Sequence, residues 1–295
     1  MDLSIIIVNY NTKKVTAGCL RSITNSKDKI KKEVIVIDNG SKDDSINYLK
    51  SFFPHYQILS SGGNLGFAQG NNFGVNQAIG DYVWLLNSDT LLKSNTISAL
   101  MKQVQINNSQ VASCCLLNHD STIQPQGGFL PRLSRLAAWM LFIDDLPVIK
   151  HLLKPYHQNS PDFFKKNQHP GWLAGTALLV KRQLYDQLGG LDKNIFMYAE
   201  DVEFCLRLAK QGIRLDYFST PQLTHLGQAS GSSQGAVLGE YKGLKYIYLK
   251  HKAGWEYPML RLLLKIGAWL RIIIFGIILK DATKKQIYQA AFKLA

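Results

Sequence analysis

The sequence predicts an α/β fold in which helices cover a mostly parallel central sheet. The chain has 295 residues, 46% of them hydrophobic, and can bury a substantial core without disulfides. Its first hundred residues alternate short apolar runs with helical segments, as parallel strands joined by helical crossovers do. Each apolar run also ends on polar residues, which places polar groups along one edge of the sheet.

The first half of the fold follows from these patterns in order. Strands are predicted over residues 3–8, 33–37, 57–59 and 82–86. Helices are predicted between them, over residues 12–25, after 41 to about 53, and 67–78. Thr12 is a plausible cap of the first helix. The βαβαβαβ order is typical of a nucleotide-binding half-domain, in which ligands bind beyond the carboxyl ends of the strands, where Asn9, Asp38 and Asp89 fall.

The second half is less regular before it becomes ordered again. Residues 127–168 mix aromatic and basic side chains, and both an acceptor-binding lobe and a surface helical excursion fit them. The later elements are a strand over 177–180, helices over 183–188 and 201–211, and a strand over 214–218 that precedes His225. We therefore expect one domain over residues 1–231 and a helical segment over 232–295.

The formal net charge of +13 calls for a partner of opposite charge. Residues 250–295 carry nine Lys and Arg residues against two acidic ones. Nucleic acid and an anionic membrane are the two candidates. The basic residues flank an apolar run over 266–279, which favours an anionic membrane surface and argues against nucleic acid.

The same run is too short, and interrupted by Arg271, for a membrane span of about 20 residues. On a helix, Arg261, Lys265, Arg271 and Lys280 occupy about half of the circumference and apolar residues the other half. That pattern predicts a helix lying in the plane of the membrane. The alternative is a helix packed against the rest of the protein.

The start of the chain and its cysteines bear on localisation. The N-terminus passes directly into the first strand, with no signal-peptide pattern. The four cysteines show no metal-binding spacing and are expected to be reduced and mostly buried. With the basic tail, these features predict a cytoplasmic protein held peripherally on the inner face of the cell membrane.

Asn87-Ser88-Asp89 follows the predicted strand over 82–86. On an extended chain Asn87 and Asp89 would share one side. A carboxylate there can hold Mg²⁺ or Mn²⁺ bridging a diphosphate, because these cations prefer oxygen ligands. The simpler alternative is that Asp89 caps the helix expected near Ser94 or makes a local turn.

Two further polar residues lie at strand ends. Asp38 suits a hydrogen bond to a nucleotide base or ribose, although it suits a cap of the following helix equally well. His225 offers an imidazole to a metal or a phosphate, against the alternative of a purely structural histidine.

Three acidic residues begin the helix predicted over 201–211. Helical spacing puts Asp201 on the inward stripe with Phe204, Cys205 and Leu208, whereas Glu203 points about 160° away. An inward carboxylate in a cleft suits a general base. An acid in the first helical turn also has a structural interpretation, because it stabilises the helix dipole.

Seven ordered segments resemble glycosyltransferase family 2, and the likeness is nearest to its bacterial rhamnosyltransferase-like branch. The segments are SIIIVNYN (4–11), VIVIDNGS (34–41), NLGFAQGNN (64–72), GDYVWLLNSDT (80–90), GWLAGTALLV (171–180), residues 189–208, and HLGQAS (225–230). Together they cover about residues 3–231. The resemblance implies a GT-A fold and transfer with inversion at the anomeric carbon.

The resemblance also implies roles for individual residues. Asp201, second of the pair Glu200-Asp201, would be the catalytic base. Asp89 would hold the divalent cation, in the place of the last Asp of the DxD motif, with His225 as a second ligand. The residues that would bind the nucleotide-sugar donor are Asn9, Asp38, Asn64, Gly66, Asn72, Asn87, Asp89, Trp172 and Gly175. One departure is Asn87, which stands where the motif has its first Asp.

The resulting hypothesis is an inverting glycosyltransferase that acts in cell-surface polysaccharide synthesis. It would move a sugar, with rhamnose a candidate, from a nucleoside-diphosphate sugar to a saccharide or lipid-linked acceptor. Two alternatives are an inactive relative that binds nucleotide sugars and a nucleotidyltransferase. The latter predicts a Gly-rich, basic loop after the first strand, whereas Asn9-Tyr10-Asn11 has neither feature.

Overall fold

The computed structural model describes residues 1–146, 153–227 and 233–295. Three sequence predictions fall outside these residues: Lys150 of the basic middle region, residues 228–230 of the last family-like segment, and the boundary at 231/232. The chain forms two compact units. One comprises residues 1–126 and 159–230, and the other comprises 127–158 and 231–295.

The first unit is built on a mixed, mostly parallel sheet. The strands along the chain are β1 (Leu3–Asn9), β2 (Lys32–Asp38), β3 (Gln57–Ser60), β4 (Tyr82–Leu86), β5 (Thr90–Leu92), β6 (Val111–Leu117), β7 (Ile123–Gln124), β8 (Gly127–Gly128), β9 (Trp172–Leu173), β10 (Ala177–Lys181) and β11 (Leu215–His225). Within the described residues the main sheet has the order β3-β2-β1-β4-β10-β6-β11-β5, with β7 beside β6. Strand β10 runs antiparallel to both β4 and β6. The predicted α/β fold with a mostly parallel sheet is confirmed.

Helices cover this sheet and make up most of the second unit. They are α1 (Lys13–Thr24), α2 (Ser45–Phe52), α3 (Gly66–Val75), α4 (Thr96–Asn107), α5 (Leu133–Met140), α6 (Arg182–Gln187), α7 (Glu200–Lys210), α8 (Ser233–His251), α9 (Glu256–Ile273) and α10 (Ala282–Leu294). Short 3-10 turns lie at Ile143–Asp145 and Phe163–Lys165, and a π-helical turn at Ile274–Ile278 follows α9.

The core of the first unit explains why its strands are continuously apolar. In β1, Leu3, Ile5 and Ile7 join a core cluster that includes residues of α1 and α4. Ile6 faces the other way, where Gly74 of α3 comes so close that a Cβ there would collide with the Ile6 side chain. Both faces of the strand are therefore buried, which an alternating apolar and polar pattern would not permit.

Two local predictions are confirmed only in part. Thr12 occupies the N-cap position of α1, but its hydroxyl caps no helix amide and instead donates to Asn9 Oδ1 at 2.9 Å. The strand expected over 214–218 continues through His225, with a register shift between Phe218 and Gln222. His225 thus lies within a strand, and its backbone is held opposite Thr90 of β5.

In the second unit, α5, α8, α9 and α10 pack together. Arg271 of α9 is only 6% exposed, and its guanidinium donates to the carbonyl oxygens of Trp139, Met140 and Gly267. The predicted place of Arg271 on an exposed basic face is therefore wrong. The Arg271 guanidinium donates to two carbonyls at the end of α5. The rings of Trp139, Phe142 and Tyr288 lie close to its positive charge.

The outward face of α9 is apolar. Its exposed large side chains include Met259, Leu262, Ile266 and Trp269, whereas Leu260, Leu264 and Ala268 are buried. Exposure continues past the helix at Ile277, Ile278 and Leu279. In the described part of the chain no helix is long and apolar enough to cross a membrane.

Candidate active site

Polar side chains at the carboxyl ends of β1 and β2 form one hydrogen-bonded network. Asn9 is fully buried and donates from Nδ2 to Asp38 Oδ2 at 2.8 Å and to Ser41 Oγ at 3.0 Å. Its Oδ1 accepts from the hydroxyls of Thr12 and Thr16. Asp38 Oδ1 in turn accepts from the Ser41 amide at 3.0 Å. The side chain of Asn9 therefore positions Asp38 and the following loop instead of reaching a ligand.

A cavity that is partly open to solvent lies beside this network. It is lined by Val8, Tyr10, Thr12, Asn39, Asn64, Phe67, Asn87, Ser88 and Met197. Two of these residues, Asn64 and Asn87, are predicted donor contacts. Polar amides and hydroxyls, together with the exposed Tyr10 ring, suit a ligand that carries both hydrogen-bonding groups and a flat apolar face.

Three predicted donor contacts, Asn64, Gly66 and Asn72, have structural roles. Asn39 joins the wall by donating to Asn64 Oδ1 at 3.2 Å and to the Gly66 carbonyl at 3.1 Å. Gly66 has φ +80° and lies so close to Phe196 that a Cβ would collide with it. Asn72 does not line the cavity, because its amide binds the backbone of Leu191 and the Tyr185 hydroxyl.

The turn Asn87-Ser88-Asp89 connects β4 to β5. Asn87 and Ser88 line the cavity, while Asp89 is buried and its carbonyl accepts from Leu226 N. Residues 88 and 89 form a turn, so the extended chain expected here is wrong. The alternatives for Asp89 and Asp38 as helix caps also fail, since Asn95 and Asp44 occupy the N-cap positions of α4 and α2.

Asp89 lies next to His225, the residue that the family resemblance implied as its partner at a metal. The distance from His225 Nε2 to Asp89 Oδ1 is 3.2 Å, and both side chains are largely buried. A carboxylate oxygen suits Mn²⁺ or Mg²⁺ and an imidazole nitrogen suits transition-metal ions, so the pair fits Mn²⁺ better than Mg²⁺. Among the residues that the structure describes, no group of three or more such side chains is found. A cation held here would take its remaining ligands from water or from a bound diphosphate.

Asp201 is the second residue of α7 and has a half-buried side chain. Its Oδ2 accepts from the Gly175 amide at 3.0 Å and its Oδ1 from the Val202 amide at 2.8 Å. A Cβ at Gly175 would lie 3.2 Å from the ring of Phe67, a cavity-wall residue. Asp201 therefore lies close to the cavity wall, and two backbone donors hold its carboxylate in place.

Glu200 differs from Asp201 in its surroundings. Its Oε2 is buried without a hydrogen-bond partner, and burial together with the Asp201 carboxylate raises the pKa of Glu200 to about 8. Near neutral pH the Glu200 carboxyl is thus mostly protonated. Asp201 is the member of the pair that keeps hydrogen-bonded carboxylate oxygens, as suits a base.

Glu203, which helical spacing puts about 160° away from the inward stripe of α7, is also shielded from solvent. It is fully buried and paired with Arg207 at 2.7 Å. Arg207 also donates to the carbonyls of Leu188 and Gly190. The loop that precedes α7 therefore covers the face that helical spacing alone assigns to solvent.

Comparison with known proteins identifies the family of this chain. The model of glycosyl transferase family 2 matches residues 4–185, more than half of the chain. The chain belongs to this family. It is accordingly a glycosyltransferase, and the alternative of a nucleotidyltransferase is set aside.

Curated relatives of this glycosyltransferase are hexosyltransferases and rhamnosyltransferases. Rhamnosyltransferase WbbL of Escherichia coli K12 is 30% identical over 72% of this chain and 79% of its own length. The N-acetylglucosaminyl-diphospho-decaprenol L-rhamnosyltransferase of Mycobacterium tuberculosis is 25% identical over 77% and 78%. The low-salt glycan biosynthesis hexosyltransferase Agl10 of Haloferax volcanii is 28% identical over 72%, and the match spans 64% of its length. The predicted likeness to rhamnosyltransferases is confirmed.

A solved structure of similar fold is TarS 1–349 of S. aureus in complex with UDP-GlcNAc. It superposes with a TM-score of 0.59 and 16% identity over 99% of this chain and 79% of TarS. At this identity the likeness shows the fold alone. The glycosyltransferase has the GT-A fold that the resemblance implied.

Other members of the site have no signature of their own in the sequence. Met197 and Phe67 line the cavity, and Gln124 binds the second nitrogen of His225 at 2.7 Å. Asn39 could have been predicted as a site residue, because it follows Asp38 at a strand end. Gln124 could not, because it lies 101 residues before its partner His225.

Proposed function

We propose that this glycosyltransferase transfers a sugar, with inversion, from a nucleoside-diphosphate sugar to a saccharide or lipid-linked acceptor in cell-surface polysaccharide synthesis. Rhamnose is the first candidate for the sugar, since two relatives are rhamnosyltransferases. The observation that carries the proposal is a cavity whose wall includes Asn87 and Ser88, from the turn that holds Asp89, and Phe67, which lies near Gly175 and Asp201. The nucleotide sugar bound by TarS supports the class of donor.

The donor would lie in the cavity between the ends of β1, β2 and β4. Asn39, Asn64 and Asn87 offer amides to the nucleotide and diphosphate, and Tyr10 offers an exposed ring on which a base can stack. Asp38 stays a proposed nucleotide contact, positioned by Asn9. Trp172 and Gly175 are proposed to support the sugar end of the donor site.

A divalent cation fits the pair of Asp89 and His225. When bound there, it would offset the negative charge that develops on the diphosphate as the bond to the sugar breaks. Asp89 and His225 are proposed to hold it, and the neutral Asn87 adds no further charge to the site.

Asp201 is proposed to accept the proton of the acceptor hydroxyl. The hydroxyl oxygen forms a bond to the anomeric carbon on the face opposite the leaving diphosphate, whose bond to that carbon breaks, so the centre inverts. The proton passes to a carboxylate oxygen of Asp201, which the amides of Gly175 and Val202 hold in place. Glu200, protonated beside it, adds no competing negative charge.

The outward face of α9 supports a membrane-bound acceptor. Leu262 and Trp269 are each 53% exposed, and Arg261 and Lys265 border the same face. An apolar face with basic residues at its edge suits the surface of an anionic bilayer. We therefore propose a cytoplasmic enzyme, peripheral on the inner face of the cell membrane. The lipid-linked acceptor named for the mycobacterial relative agrees with this proposal.

A donor screen tests the proposed chemistry. The full chain is incubated with a panel of nucleoside-diphosphate sugars, including UDP-GlcNAc and a nucleoside-diphosphate rhamnose, with Mn²⁺ or Mg²⁺. We expect release of the nucleoside diphosphate from one donor, and faster release when a polyprenyl-diphosphate saccharide is added. If no donor on the panel is consumed with any acceptor and cation, the proposed reaction is wrong.

A further inference from the structure

A chain of side-chain hydrogen bonds leads from a surface turn to His225. It begins in the turn between β6 and β7, where Asn118 N donates to Thr122 O at 2.8 Å. Its members in order are Asp120, Thr122, Asn118, Gln124 and His225. Gln124 is held opposite Leu116 by the pairing of β7 with β6.

Asp120 fixes the direction of the first bonds. The Thr122 hydroxyl and amide both donate to Asp120 Oδ1, at 2.6 and 3.0 Å, and these bonds hold the pKa of Asp120 below its usual range. An ionised carboxylate only accepts, so the Thr122 hydroxyl must be the donor. Its oxygen is then left to accept, and Asn118 Nδ2 donates to it at 2.9 Å.

The same logic passes along the two amides. Asn118 has its NH₂ group on Thr122, so its Oδ1 faces Gln124 and accepts from Gln124 Nε2 at 3.0 Å. Gln124 in turn presents Oε1 to His225 Nδ1 at 2.7 Å. Because an amide oxygen only accepts, the proton of a neutral imidazole must be on Nδ1.

The other ring nitrogen therefore carries a lone pair towards Asp89. Nε2 lies 3.2 Å from Asp89 Oδ1, and both side chains are largely buried. Two acceptors at that distance repel each other unless a positive charge lies close to both. A divalent cation bound to the two atoms supplies that charge, and a metal-bound histidine is commonly oriented through its second ring nitrogen.

We propose that Gln124, oriented by Asn118 and Thr122, is a positioning residue that fixes His225 with Nε2 free to bind a cation beside Asp89. The inference rests on the cation site of the proposed function. It adds that this site is prepared before the cation arrives, by residues of the β6–β7 turn.

The test compares three variants with the wild type. Gln124→Leu keeps the side-chain volume and removes the acceptor, Gln124→Glu keeps an acceptor, and Gln105→Leu on the exposed surface of α4 is the matched control. Nitrogen-15 NMR of the metal-free protein at pH 8 reports which nitrogen of His225 carries the proton, with signals assigned by their loss in His225→Asn. Paramagnetic resonance reports the affinity for Mn²⁺ alone.

We expect the wild type to hold the proton on Nδ1. Gln124→Leu should show a mixture of the two neutral forms of His225. It should bind Mn²⁺ about tenfold to a hundredfold more weakly, which is the usual loss when a residue that orients a metal ligand is replaced. Gln105→Leu should keep wild-type affinity, and Gln124→Glu, which keeps an acceptor for Nδ1, should keep the proton on Nδ1. If circular dichroism shows that Gln124→Leu does not fold, Thr122→Val takes its place, with the same mixture and a weaker affinity for Mn²⁺ expected.

Three results would overturn the inference: a wild-type His225 protonated on Nε2, a wild-type imidazolium at pH 8, or a folded Gln124→Leu with unchanged Mn²⁺ affinity. A wild type that binds no Mn²⁺ at all would instead refute the cation site of the proposed function. Failure of the positioning role and failure of the proposed site thus give different results.

Discussion

At the scale of single residues, the first prediction concerns Asp201. Replacement by Asn preserves the acceptor oxygen for one backbone amide but removes the basic carboxylate. We expect Asp201→Asn to bind the donor with nearly wild-type affinity while kcat falls by about a hundredfold or more, the usual range for a lost general base. Donor affinity by calorimetry and kcat by release of the nucleoside diphosphate separate the two effects.

A matched control for Asp201 is Asp186→Asn. Asp186 lies at the end of α6, is exposed, and pairs only at the surface with Arg182 at 3.4 Å. Its removal should leave kcat unchanged. Normal turnover by a folded Asp201→Asn would contradict its assignment as the base.

The second residue prediction concerns Glu200 and pH. Its pKa rises from about 4.5 to about 8 on folding, because the carboxyl is buried beside Asp201. Between these values the folded protein binds a proton that the unfolded chain has released, so its stability falls as pH rises, by up to about 1.4 kcal/mol per pH unit. Glu200→Gln removes this loss. The variant should therefore gain stability over the wild type from pH 5 to pH 8, measured by urea unfolding at each pH.

The opposite dependence of stability on pH would contradict this prediction. If the wild type gains stability relative to Glu200→Gln across the same range, Glu200 is ionised in the folded protein. Glu203→Gln is not a suitable control, because it would break the buried pair with Arg207.

Residue patterns predicted part of the site and missed part of it for a physical reason. Asp89, Asp201 and His225 stand out because acids and histidines at strand and helix ends are few. Burial is harder to infer from sequence. Helical spacing assigns one buried face to a helix, whereas α7 has buried residues on two faces. The burial of Glu203 was not predicted for that reason, and Gln124 lacked any local pattern.

At the scale of elements, the third prediction concerns the outward face of α9. Replacing Leu262 and Trp269 by Ser removes two exposed apolar side chains without touching the buried Leu260 or Leu264. Burial of each such side chain is worth about 1.5–3 kcal/mol, so binding to anionic vesicles should weaken by more than tenfold. Co-sedimentation with vesicles of phosphatidylglycerol and phosphatidylcholine measures it.

The control for α9 is Ile106→Ser on α4, which removes an apolar residue that is even more exposed than Leu262 or Trp269. It should leave vesicle binding unchanged. If the wild type fails to bind these vesicles and instead forms a dimer that the double variant abolishes, the face binds a second copy of the chain and the membrane proposal fails.

The elements also show how far sequence patterns reach. Continuous apolar runs correctly predicted the early strands, because both faces of the sheet are covered. The tail was predicted as a helix with Arg271 on its exposed side, yet Arg271 donates to the Met140 carbonyl 131 residues away. A charge on an apolar helix is assigned to solvent unless its partner is known, and that partner is distant in sequence.

At the scale of the whole molecule, sequence order did not reveal which segments belong together. Residues 127–158 group with the C-terminal helices, and β10 enters the sheet between β4 and β6 although β5 and β6 precede it in the chain. A short strand has no local sequence feature that identifies which strands lie beside it in the sheet. The family resemblance supplied the GT-A fold that the periodicity of the sequence could not.

The fourth prediction concerns the stability of the whole chain with its proposed ligands. A ligand that binds only the folded state at one hundred times its Kd stabilises it by about 2.7 kcal/mol. Because Asp89 and His225 would hold the cation that neutralises a diphosphate, Mn²⁺ and a nucleoside diphosphate together should raise the Tm by several degrees, more than the sum of the two alone. EDTA should abolish the gain, and Asp89→Ala should lose it while still responding to the nucleotide alone. An equal gain in EDTA, measured by scanning fluorimetry, would mean that the nucleotide binds without a cation.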